Sequence, residues 1–117
     1  MKSLATITES DIDTIKIALN DSISDINNEL KGDIKPKKRV ELLDYKDKYF
    51  KVYNKLRQNP SIYSLSETEL DMTAGGLNDA IQLLEEMLAS GDLNDVEQEE
   101  TIAARNECSH LVQLLAG

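Results

Sequence analysis

Leu70, Ala74, Leu77, Ile81, Leu84 and Leu88 recur at intervals of four, three, four, three and four residues. An α-helix brings residues three and four apart onto one face, whereas a strand would scatter this set over both of its faces. The same rhythm returns three more times. Ile12, Ile15, Leu19, Ile23, Ile26 and Leu30 follow it early in the chain, as do Leu42, Tyr45, Tyr49, Val52 and Leu56 in the middle. Ala104, Cys108, Leu111 and Leu115 follow it at the end. No run of β-branched residues alternates with period two, and two prolines and five glycines are too few for a loop-rich β-protein. The pattern predicts an all-α fold: one domain over 1–117, an antiparallel bundle of about four amphipathic helices arranged as two hairpins.

Helix boundaries are predicted at about 9–31, 36–58, 67–90 and 95–115 from their start and stop signals. Thr8 stands where it can cap the first helix, with Asp11 three residues on and Ile7 and Ile12 as a hydrophobic staple. Gly32 is the expected stop for that helix. Pro36 suits the first turn of the second helix, and Asn59-Pro60 ends it. Ser66-Glu67-Thr68-Glu69 is an S-x-x-E capping box with Leu65 and Leu70 as its staple, and Gly91 closes that third helix. The fourth starts near Asn94 or Asp95, with Glu97, Glu99 and Glu100 favouring its dipole. Leu43, Phe50 and Tyr53 widen the apolar face of the second helix to about half its circumference, so it is predicted to be the most buried of the four.

The charge is uneven. Residues 1–34 carry three Lys against seven acids, net −4; residues 35–57 carry nine Lys or Arg against three acids, net +6; residues 58–117 carry one Arg against twelve acids, net −11. A formal net charge of −9 argues against nonspecific binding to nucleic acid or membrane by the whole surface. No stretch approaches 18 uninterrupted apolar residues and no signal-peptide run opens the chain. A single cysteine excludes an intrachain disulfide framework, which makes the reducing cytoplasm the expected location.

Catalytic chemistry finds little support. Glu107-Cys108-Ser109-His110 contains Glu-x-x-His, the way ferritin-like bundles present two metal ligands. The chain has one His, so only a homodimer would assemble such a site, and the plainer reading makes Glu107 a rim carboxylate with a packed stem. Cys108 and His110 diverge by about 200° around a helix and form no thiolate–imidazole pair. Cys108 reads as an inert core thiol. The acidic run from Asp92 to Glu97 lacks the glycine and ligand positions of a calcium loop, and Gly75-Gly76 lacks the Lys-Ser/Thr of a phosphate loop. No cofactor is expected.

Two surface features remain. Lys37, Lys48, Lys51 and Lys55 form a basic stripe opposite the apolar centre of the second helix, readable as a phosphate or acidic-partner contact. Their acidic surroundings favour ordinary solvated or weakly paired lysines. The third helix carries a second apolar stripe of Met72, Gly76, Leu83 and Met87 beside its core stripe, with Ala80 between the two. Each interior glycine costs about 0.5–1 kcal/mol relative to alanine. A close approach by another backbone would offset that, either in a docking groove or within the bundle itself. Ile17 points away from the seam of the first helix and reads as a lone exposed apolar residue.

The expected function is a non-enzymatic protein–protein interaction module, a small acidic adaptor or regulator. It would bind another protein, or itself as a homodimer, through that stripe. One alternative is an acidic inhibitor whose carboxylates imitate nucleic-acid phosphates on a basic enzyme or regulator. A further alternative is a dimeric metalloprotein using Glu107 and His110. Helix lengths and loop spacing resemble those of immunity proteins, antitoxins and phage-encoded regulators, a likeness of fold that implies no function.

Overall fold

The computed structural model describes residues 4–116. A 3-10 turn at Leu4–Thr6 precedes four helices: α1 (Glu9–Leu30), α2 (Pro36–Gln58), α3 (Glu67–Ser90) and α4 (Asp95–Ala116). A second 3-10 turn, Ile62–Ser64, joins α2 to α3. There is no strand among the described residues.

Local chemistry sets where the helices begin. The Thr8 amide donates to Asp11 Oδ2 at 3.0 Å while the Asp11 amide donates to Thr8 Oγ1 at 3.2 Å. Ser66 and Glu69 repeat this reciprocal pair at 2.9 and 3.2 Å, which satisfies amides that have no partner inside the helix. Asn94 and Glu97 form a third such pair, at 3.2 and 2.8 Å, where the sequence suggested only a favourable dipole contact.

The ends differ from one another. Gly91 adopts a left-handed conformation with φ 75°, as a terminating glycine does. Gly32 does not have a positive φ, which corrects the expectation that it stops α1 in that way. Instead the last turn tightens, with the Lys31 amide donating to Asn28 O at 3.3 Å and the Gly32 amide to Glu29 O at 3.1 Å.

α1 packs on α2 and α3 on α4, and the two hairpins meet chiefly through α1 and α3. The inner helices are therefore α1 and α3, with α2 and α4 outside. Leu19, Leu56, Leu77, Leu111 and Leu115 are fully enclosed and belong to one contiguous core, each contributing about 1.5–3 kcal/mol by its burial. The assembly measures 43 × 38 × 24 Å.

Position in the bundle overturns one expectation about burial. α1 buries seven residues and α2 only four. α1 lies between two neighbours, whereas α2 faces the interior on one side and leaves Leu43, Tyr45 and Phe50 about half exposed. Along α3, full burial stops at Leu77; Ile81, Leu84 and Leu88 are only partly covered. Taken as a whole, α3 packs most extensively on α4. Among the described residues no helix is long and apolar enough to cross a membrane.

Candidate functional site

Gly76 lies where α3 crosses the other hairpin. It is buried, and a Cβ at this position would stand 3.2 Å from Leu19 Cδ2 on α1 and 3.6 Å from Tyr49 Cε1 on α2. The glycine thus permits a close approach inside the bundle, which corrects its placement on an open docking surface. Met72 is also partly buried and packs against the core. The stripe Met72, Gly76, Leu83, Met87 consequently divides, its first half turned inward and its second half outward.

The outward half borders a groove of about 410 Å³ where α1, α3 and α4 part. Leu83 and Met87, 40% and 46% exposed, form its α3 wall with Ala80 and Leu84. α1 supplies Ile17 and Ala18, and α4 supplies Ala104 and Cys108. Ile17 is 64% exposed, yet it belongs to this apolar surface rather than standing alone. Nothing in the local sequence of α1 reveals this, because its company comes from α3 and α4.

The groove's polar edge is acidic. Asp21 and Glu107 line it, and the Thr14 hydroxyl donates to Glu107 Oε1 at 2.7 Å, joining α1 to α4 directly. That contact gives Glu107, read from the sequence as a rim carboxylate, a partner at the edge of the groove. Cys108 is buried, and burial pushes its thiol up, an effect to which the carboxylates of Glu107 and Asp21 add. A protonated thiol is a weak nucleophile. His110 is exposed. Among the described residues, no three His, Cys, Asp or Glu side chains are gathered where they would hold a metal ion.

On the other side of Leu83 lies a second recess, of about 590 Å³, between α1, α2 and α3. Tyr45 and Tyr49 stack there with ring centroids 6.4 Å apart. Asp25, Glu29, Asp79 and Glu86 surround them. The Tyr49 hydroxyl donates to Asp79 Oδ2 at 3.4 Å. Burial, reinforced by the Asp79 charge and that bond, pushes the Tyr49 phenol up to about 12. Burial also raises the Asp79 carboxyl, against the opposing effect of the Tyr49 bond. No Lys or Arg lines either recess.

Three of the four lysines in the basic stripe are engaged at home. Lys48 pairs with Asp44 at 3.0 Å, Lys51 with Asp47 at 3.0 Å, and Lys55 with Glu69 at 2.6 Å. Lys37 is exposed. The outer side of α2 also carries Val40, 68% exposed, together with Leu43 and Phe50. The breadth of the apolar face predicted for α2 concealed these side chains, since Leu43 and Phe50 were assigned to the interior. In comparisons with known proteins, no family model, no curated protein and no solved structure matches the chain.

Proposed function

We propose that the chain is a non-enzymatic protein-binding module whose working surface is the groove between α1, α3 and α4. The observation that carries this reading is the convergence of Ile17, Leu83 and Met87, exposed apolar side chains from two helices, on one concave surface. A monomeric surface rarely gathers apolar side chains in this way without a partner, and grooves between helices take the apolar ridge of another helix. Methionine adds a side chain able to adapt to what it meets.

The test is site-specific photocrosslinking in the organism that makes the protein. A photoreactive residue in place of Met87 should give discrete protein adducts, and one in place of the exposed Gln113 should not. Leu83→Asp should remove the Met87 adducts and leave helicity unchanged. Absent adducts, equal adducts at both positions, or adducts that survive Leu83→Asp would each overturn this placement of the surface.

The net −11 of residues 58–117 favours a second reading, an acidic inhibitor that occupies a basic nucleic-acid-binding cleft. The two readings separate by salt. Binding through exposed carboxylates weakens steeply as ionic strength rises, whereas apolar docking changes little.

A further inference from the structure

We infer that the groove receives the outer face of α2 from a second copy of this chain, a head-to-tail contact that rests on the protein-binding role proposed above. Val40, Leu43 and Phe50 follow at intervals of three and seven residues and fall within about 80° of arc on the solvent side of α2. They form an apolar ridge at helical spacing, the shape that a groove between helices accepts, interrupted by Asp47, which falls within the same arc and is paired with Lys51 at 3.0 Å.

Charge points to the same pairing. Arg39, Lys46 and Arg57 flank the ridge on one side, and none of them enters an ion pair among the described residues. The groove offers Asp21 and Glu107, and beyond Leu83 the neighbouring recess adds Asp25, Glu29, Asp79 and Glu86. A segment of net +6 thus meets a surface whose charged lining residues are all carboxylates, the complementarity that sets register and suppresses wrong partners. Pairing groove to groove across a two-fold axis would instead set the same carboxylates face to face. Within one chain the contact is out of reach, because α2 lies outside α1, across the bundle from α4.

Ridge and groove are different surfaces, so each copy offers one of each. Such a contact extends into chains or closes into a ring, and does not stop at a symmetric pair. Light scattering coupled to size exclusion tests this on the purified protein. The mass of the unaltered chain should rise with concentration beyond that of a dimer. Phe50→Asp, which disables the ridge, and Leu83→Asp, which disables the groove, should each leave a monomer. An equimolar mixture of the two should form a one-to-one dimer and nothing larger, since each variant keeps the half that the other lacks. Regained association on mixing also shows that both variants are folded; should either lose helicity, Val40→Asp and Met87→Asp alter the same two surfaces. A monomer at all concentrations, a mixture that stays monomeric, or a dimer lost in Leu83→Asp and kept in Phe50→Asp would overturn the inference. Adducts at Met87 to a different protein, with the purified chain monomeric, would overturn it while leaving the proposed function standing.

Discussion

A methyl group added at Gly76 would sit 3.2 Å from Leu19 Cδ2, while one added at Gly75 would meet only Tyr49 Oη, at 3.8 Å. The two positions are adjacent in sequence and make opposite demands. At Gly75 the contact is ordinary, so the helix-propensity gain of alanine stands unopposed. Gly75→Ala should stabilise the protein by about 0.5–1 kcal/mol. At Gly76 the same gain is set against Leu19, which is fully enclosed and would have to shift by a few tenths of an ångström within the packed core. Gly76→Ala should therefore destabilise relative to the unaltered chain, and Gly76→Val should cost about 1–3 kcal/mol through overpacking. Urea unfolding of the three variants decides the matter. Equal stabilisation by both alanines would remove the close-approach account of Gly76.

Helix α3 is held at its start by a cap that also ties the hairpins together. Glu69 accepts from the Ser66 amide and from Lys55 Nζ on α2, at 2.9 and 2.6 Å. Burial alone would raise the Glu69 carboxyl, but the bonds from Lys55 and Ser66 outweigh it and hold the group below its ordinary 4.5. The sign of the pH effect follows. A carboxyl with a depressed folded pKa contributes stability above its unfolded pKa and loses it as pH falls through the folded value. The urea midpoint should thus decline as the solution is acidified below about pH 4.5, and Glu69→Gln should flatten part of that decline. Ser66→Ala should cost about 1 kcal/mol at neutral pH by leaving the Glu69 amide without its acceptor. An acid limb unchanged in Glu69→Gln would assign that decline to other carboxylates.

In the whole molecule, Leu19 and Leu56 from one hairpin and Leu77 and Leu111 from the other share a single core. Neither hairpin can expose its half without uncovering the other. Tyr45, Tyr49 and Tyr53 lie on α2, with Tyr49 also touching α3, Tyr63 lies in the turn between the hairpins, and the buried Cys108 thiol lies on α4. Tyrosine emission, Cys108 labelling and far-UV dichroism should therefore give one coincident urea transition. Separate midpoints for the tyrosines and Cys108 would mean that the hairpins unfold as independent units.

Much of this was legible in the sequence because it is encoded locally. Four apolar stripes at helical spacing specify four helices, and the reciprocal bonds of Thr8 with Asp11 and Ser66 with Glu69 span only three residues. Burial was a different matter, since a stripe states which side of a helix is apolar and not how many neighbours will cover it. Tertiary structure alone decided that α1 is enclosed on two sides, that Gly76 faces Leu19, and that Leu43 and Phe50 look outward. The groove belongs to the same class. Ile17, Leu83 and Cys108 are far apart along the chain, and only the packing of α1 and α3 against α4 places them on one surface.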